Sequence, residues 1–165
     1  SAAQIKEDFQ FKAPLLPGSR SIGAEMEKEH AVCLNVRGGE TLQMPLHNVT
    51  DESYYLAAIA ALAAQVPEAT FFIFSDDLPW CPSIFKEVPN VQFVAATHYG
   101  HRYGNYLQLM TRCRHFIIPN STFAWWAAWL GEKQGSYIYT PERWFGTDEL
   151  DYRDVVPERW LKIPN

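Results

Sequence analysis

Arg37, followed at once by Gly38 and Gly39, and the polar triplet Asn120-Ser121-Thr122, which opens an otherwise apolar segment, are the residues of this chain best suited to hold an anion. Arginine carries a planar fork that grips phosphate through paired, charge-assisted hydrogen bonds. A helix start offers amide N–H groups that lack intrahelical partners, and the macrodipole adds partial positive charge there. Further polar groups stand where other strands are expected to end: Glu40 beyond Arg37, then Ser75, Asp76 and Asp77, then Thr97 and His98. Open α/β sheets bind ligands outside the carboxyl ends of their strands. One guanidinium, several hydrogen-bonding groups and a helix start suit a diphosphate better than a metal cluster or a nucleophilic triad. Plainer roles stay open at each position: a structural salt bridge for Arg37, an ordinary N-cap at Ser121 or Thr122, turn and cap roles for Asp76 and Asp77, and solvent contact for His98 and His101. Two adjacent acids without a third ligand do not make a metal site, and two histidines three apart in a loop are too few for zinc. No GxSxG, Walker or GxGxxG pattern is present.

The elements that must position these residues alternate along the chain. HAVCLNVR (His30 to Arg37) reads as a strand. An amphipathic stripe of Tyr55, Ile59, Leu62 and Val66 predicts a helix from about Glu52, with Asp51 as N-cap and Pro67 as its stop. TFFIFS (Thr70 to Ser75) is a continuous apolar run, the signature of a strand covered on both faces. A short helix near Pro82 to Lys86, a strand from Val91 to Ala95, a His- and Tyr-rich loop from Thr97 to Tyr103 and a helix from Asn105 to Cys113 follow. HFIIP (His115 to Pro119) is the next strand, and the tryptophan-rich segment Asn120 to Gly131 is a helix that leaves no side for water. SYIYT (Ser136 to Thr140) completes about five strands. This order predicts an α/β fold, a doubly wound, mostly parallel, Rossmann-like sheet. Residues 1–30 form a lead-in with one short helix near Ala24 to Glu29. Residues 31–140 make the Rossmann-like unit, and 141–165 an irregular or helical strap that docks Trp144, Phe145 and Trp160 on it.

At 165 residues and 47% hydrophobic, the chain is sized for one well-packed core. A net charge of −5 argues against a nucleic-acid or anionic-membrane surface, which needs a positive footprint. Cys33, Cys81 and Cys113 are odd in number and lack CxxC spacing, so buried free thiols are expected. No run of 18 apolar residues and no signal-peptide pattern is present, and the chain reads as soluble. The sequons at Asn48 and Asn120 are read as chance matches.

Several segments, taken together and in order, resemble the α-1,2-fucosyltransferase family of glycosyltransferases. They are the VxR-G motif at Asn35 to Glu40, FFIFSDDLPWC at Phe71 to Cys81, LMTRCRHFIIPNSTFAWWAAWLG at Leu109 to Gly131, and PERWF at Pro141 to Phe145. The resemblance runs from about Phe9 to Asn165. It implies the C-terminal, donor-nucleotide half of a fold with two facing Rossmann-like halves, so an N-terminal acceptor half is expected to be missing. It implies GDP-β-L-fucose as donor, a terminal galactoside glycan as acceptor, and inversion at the anomeric centre. It further implies that no metal or other cofactor is required and that the location is cytoplasmic or membrane-associated. The donor site it implies comprises Asn35, Arg37, Ser75, Asp76, Asp77, Asn120, Ser121 and Thr122. Arg37 and Glu40 take the catalytic roles, the first on the β-phosphate and the second as base or as orienting group for Arg37.

The chain departs from that family pattern at definite places. The family's first strand usually ends in HxRRGDY, and here Asn35 replaces the histidine, Gly38 the second arginine, Glu40 the aspartate and Thr41 the tyrosine. Tyr106 stands where an acid is common, and Ala124 where a serine is usual. Losing a preorganised cation beside a departing diphosphate costs roughly 3 to 4 kcal/mol, about a hundredfold or more in rate, unless another residue compensates. Arg102, Arg112, Arg114 and Arg143 are the candidates. The alternative is a degenerate, non-catalytic domain that binds a nucleotide sugar or serves as an interaction module.

Overall fold

The computed structural model describes residues 1–38, 49–151 and 153–165. Its elements run α1 (Ala2–Asp8), α2 (Arg20–Met26), β1 (Ala31–Val36), α3 (Glu52–Gln65), β2 (Thr70–Ser75), α4 (Cys81–Phe85), β3 (Val91–Phe93), α5 (Gly104–Met110), β4 (His115–Ile117), α6 (Thr122–Gly131), β5 (Ile138–Pro141) and β6 (Leu161–Ile163). The six strands pair in the order β3-β2-β1-β4-β5-β6, and every pairing is parallel. This is the doubly wound arrangement in which the strand order reverses between β1 and β4, and a crevice opens there at the carboxyl ends.

Both sheet faces are covered, which is why the strands read as continuous apolar runs. Val32, Leu34 and Val36 of β1, with Phe71 and Ile73 of β2, pack on Tyr54, Tyr55, Ala58 and Leu62 of α3 and on α4. On the other face, Cys33, Phe72, Phe74 and Phe116 meet α2, α5 and α6 together with Trp144 and Trp160. Asp51 caps α3 as expected, its carboxylate accepting from the Tyr54 amide at 3.1 Å. Cys33, Cys81 and Cys113 are free and buried. Among the described residues no helix is long and apolar enough to cross a membrane.

Three expectations are corrected. The sheet has six strands, because the tail read as an irregular or helical strap adds β6 parallel to β5. The lead-in is more helical than foreseen, with α1 at the start and the second helix beginning at Arg20. The tryptophan-rich helix α6 does keep a wet side: Trp126 is 38% exposed and Thr122 is exposed. Trp126 stacks on Phe9 at 6.4 Å, while Trp129 is buried. Ala124, Ala127 and Ala128 take the inner face of α6 and pack in the cluster with Phe116 of β4, which leaves Trp126 on the exposed side.

His115 makes the fold sensitive to acid. Its Nδ1 accepts from the Tyr137 amide at 2.9 Å, so the ring is neutral and its Nε2–H faces the Glu29 carbonyl at 3.0 Å. Burial, with Arg114 and Lys133 nearby, holds its pKa below the usual histidine value, the Glu29 carbonyl opposing. The unfolded chain therefore takes up the proton first. Stability is full above the unfolded pKa near 6.5 and is lost as pH falls through the folded value. The urea midpoint should drop between about pH 7.5 and about pH 5.5, and His115→Asn, which keeps an acceptor for Tyr137, should flatten that dependence.

Candidate functional site

The two strand ends on either side of the order reversal meet at one cavity of about 550 Å³, within the usual range for small-molecule sites. From β1 come Asn35, Val36 and Arg37; from the β4–α6 turn come Asn120, Ser121, Thr122 and Phe123. Ser75 and Asp76 border it from β2, Arg102, Tyr103 and Tyr106 from the segment around the start of α5, and Trp144 and Phe145 from the chain after β5.

Arg37 is fixed at both ends. Its amide donates to the Tyr55 hydroxyl at 3.1 Å, and its guanidinium donates through Nη1 to the Asn120 carbonyl at 2.8 Å. Burial pushes the Tyr55 hydroxyl up to about 12, so it stays neutral and serves as acceptor. The second contact ties the guanidinium to the entrance of α6. There Ser121 caps the helix, its side chain accepting from the Ala124 amide at 3.3 Å, while the Ser121 amide turns to the Pro119 carbonyl at 2.9 Å. The first-turn amides of Thr122 and Phe123 have no partner among the described residues, and both residues line the cavity. The plain N-cap role thus falls to the Ser121 side chain, while the amides left open at the cavity are those of Thr122 and Phe123.

Asn120 is used mainly as a brace. Its Nδ2 donates to the Trp144 carbonyl at 3.0 Å, its Oδ1 accepts from the Thr50 hydroxyl at 3.4 Å, and the residue is 5% exposed. Ser75 is a brace as well. Its hydroxyl donates to the Val36 carbonyl at 2.8 Å and accepts from the Asp77 amide at 2.9 Å. Asn35 differs: it is 7% exposed, borders the cavity, and its side chain makes no hydrogen bond among the described residues.

The adjacent acids part company. Asp76 is exposed and borders the cavity, accepting from the Gly38 amide at 3.2 Å. Asp77 is not part of the cavity wall and packs against Gly38, where a Cβ on that glycine would stand 2.9 Å from the Asp77 Cβ. Gly38 is therefore set by its neighbour, and a side chain there would require the loop to move. Thr97 and His98 are not in the wall either; the His98 ring shares a hydrogen bond with the Ser19 hydroxyl at 2.8 Å. Glu40, expected as a base or orienting group, lies outside the described residues.

Tyr106, the residue standing where an acid is common, ties two strand ends together. Its hydroxyl donates to the Val94 carbonyl at 2.7 Å and accepts from the Ser75 amide at 3.2 Å, and burial raises its pKa. Tyr106→Phe leaves both backbone groups unsatisfied and should cost about 1 to 3 kcal/mol of stability. A urea-unfolding curve unchanged by that substitution would contradict this role.

Sequence reasoning did not place Tyr103, Phe123, Trp144 and Phe145 at the site. The PERWF stretch was the available signal for the last two. Of the four arginines that could compensate for Gly38, three are engaged elsewhere. Arg112 pairs with Glu27 at 2.6 Å, Arg114 donates to the Gln134 carbonyl at 2.5 Å, and Arg143 donates to the Asn165 carbonyl at 3.0 Å. Arg102 alone of the four borders the cavity.

The site can be set beside known proteins. The family model described as Glycosyl transferase family 11 matches residues 18–162. The chain is 31% identical over 142 residues to an alpha-1,2-colitosyltransferase of Escherichia coli, covering 81% of this chain and 48% of that protein. It is 30% identical over 141 residues to the O-antigen biosynthesis glycosyltransferase WbnK of the same organism, covering 83% and 46%. It is 28% identical over 139 residues to galactoside alpha-(1,2)-fucosyltransferase 1 of Rattus norvegicus, covering 81% and 36%. The chain spans about half the length, or less, of these relatives. No solved structure gives a significant match.

Proposed function

Because the chain belongs to glycosyl transferase family 11, we propose that its cavity is the donor site of a fucosyltransferase, which carries L-fucose from GDP-β-L-fucose to a galactoside hydroxyl with inversion. The observation that carries this reading is the Arg37 guanidinium on the Asn120 carbonyl at 2.8 Å, which brings a phosphate-gripping fork and the amides at the start of α6 onto one cavity. Diphosphate departure puts negative charge between those groups, and preorganised donors there stabilise the transition state more than the ground state. The bond from the sugar C1 to the phosphate oxygen breaks with its electron pair leaving on GDP. The acceptor oxygen closes on C1 from the opposite face, and its proton passes to a carboxylate, for which Glu40 is proposed. Asp76, whose carboxylate accepts from the Gly38 amide at the cavity edge, is suited to accept hydrogen bonds from the nucleoside, which a carboxylate does better than it bears a phosphate. Asn35 supplies a neutral donor and acceptor deep in the cavity, and Ser75, Asp77 and Asn120 hold the walls.

Gly38, backed against Asp77, favours a second reading, in which the cavity binds the nucleotide sugar without turning it over. The similarity to an alpha-1,2-colitosyltransferase bears on the donor, since a colitosyl group could take the place of fucose in the same cavity. The test supplies GDP-fucose and a galactoside, with the matching colitosyl donor in a parallel reaction, to the longest natural polypeptide that contains this chain. Equal amounts of free GDP and an α-linked fucosyl product, unchanged by a chelator, are expected. Donor binding without GDP release would select the non-catalytic reading. Preference for the colitosyl donor would reassign the sugar, and absence of donor binding would refute the proposal.

A further inference from the structure

A diphosphate carries more negative charge than the single positive charge of Arg37 can answer, and one donor of that guanidinium is already committed to the Asn120 carbonyl at 2.8 Å. The adjoining position cannot supply a second cation, because the Asp77 side chain occupies the space where a Gly38 side chain would begin. The same cavity is also lined by Arg102, whose side chain makes no hydrogen bond or ion pair among the described residues. Its backbone is in the left-handed region (φ 50°), as is that of Tyr103 (φ 62°). For residues other than glycine, asparagine and aspartate that conformation is uncommon and persists where the surroundings enforce it.

The surroundings do so here. Gly100 (φ 69°) lets the chain fold against Asn105, whose Cβ would stand 2.6 Å from any Cβ at that position. The Asn105 amide donates to the His98 carbonyl at 2.7 Å and to the Ser19 hydroxyl at 2.9 Å, and its oxygen accepts from the Leu16 amide at 2.9 Å. The Tyr103 ring lies 4.6 Å from Tyr99 and 6.5 Å from Phe123 of the first turn of α6. The turn bearing Arg102 is thus braced on the same helix start that receives the anion. The Asn35 side chain, 7% exposed and without a hydrogen bond among the described residues, is a further polar group on the wall of the same cavity.

We propose that Arg102 is a second phosphate-gripping residue of this cavity, held on its wall by the left-handed turn and doing the work for which Gly38 has no side chain. This rests on the reading of the cavity as a GDP-sugar site. The test compares GDP and guanosine binding by calorimetry for the unaltered chain, Arg102→Asn, Arg102→Lys and Arg37→Ala. Asparagine is tolerated in left-handed backbone, so Arg102→Asn removes the charge without forcing the turn. Loss of a charge-assisted contact predicts GDP binding about 10- to 100-fold weaker for Arg102→Asn, an intermediate value for Arg102→Lys and an unchanged guanosine response. A parallel fall in guanosine binding would make the residue structural and overturn the proposal. GDP binding within about threefold of the unaltered chain, with Arg37→Ala still defective, would overturn it and leave the donor site standing. Failure of the unaltered chain to bind GDP would overturn both.

Discussion

Arg37→Ala should weaken GDP binding about a hundredfold and, if the proposed transfer is measured, slow it by about a hundred- to a thousandfold. The rate effect follows from removing one preorganised donor aimed at developing charge, worth roughly 3 to 4 kcal/mol. Binding suffers too, because a charged group on phosphate exchanges its hydration for a fixed, partly enclosed contact. The fold should survive, since the hydrogen bond of residue 37 to Tyr55 comes from the backbone amide and is retained by alanine. Arg37→Lys should fall between the two, as it keeps the charge but loses the planar fork that reaches both the Asn120 carbonyl and a phosphate. Calorimetry for binding and GDP release for turnover check these effects, with circular dichroism confirming the fold. An Arg37→Ala chain that binds GDP as well as the unaltered one would mean that this residue only braces the β4–α6 turn.

Trp144→Ala should be the most damaging substitution for stability, at roughly 3 to 5 kcal/mol, the range for removing a large aromatic from a core. Trp144 is 6% exposed and packs in the cluster beneath α5 and α6. Its carbonyl receives the Asn120 amide at 3.0 Å, so the backbone that carries this ring also positions the site entrance. The cavity borders the ring directly, and alanine would open that wall as well. GDP affinity should therefore fall along with the urea midpoint. Trp144→Phe should recover most of the stability, because the larger part of the apolar volume is kept. A loss below about 1 kcal/mol for the alanine variant would show that this ring is not part of the folding core.

Much of the sheet was legible because its strands are apolar on both faces. TFFIFS and AVCLNV carry side chains that pack into the two separate clusters, and their shortness with β-branched and aromatic residues marks such runs as strands rather than buried helix. β6 escaped notice for the opposite reason. Leu161, Lys162 and Ile163 are three residues on a sheet edge, largely exposed, and their pairing with Tyr139, Thr140 and Pro141 depends on contacts far along the chain. The site divides in the same way. Arg37 and the Asn120 to Thr122 turn follow strands directly, so the rule that ligands sit at strand ends found them. Arg102, Tyr106 and Trp144 come from segments placed only by tertiary packing, and spacing along the sequence says nothing of where they point. Asp76 and Asp77 look alike in sequence, yet one borders the cavity and the other backs onto Gly38. The tryptophan spacing on α6 suggested burial throughout, but the alanines claim the inner face and leave Trp126 to stack on Phe9.

The most direct test is a titration of the chain with GDP, ADP and UDP, followed by heat of binding. Saturable binding of GDP, clearly weaker binding of the other two, and loss of the GDP signal in Arg37→Ala are the predicted results. Equal responses to all three nucleotides, or a GDP response that persists without the Arg37 guanidinium, would contradict the assignment of this cavity to a guanosine-diphosphate sugar.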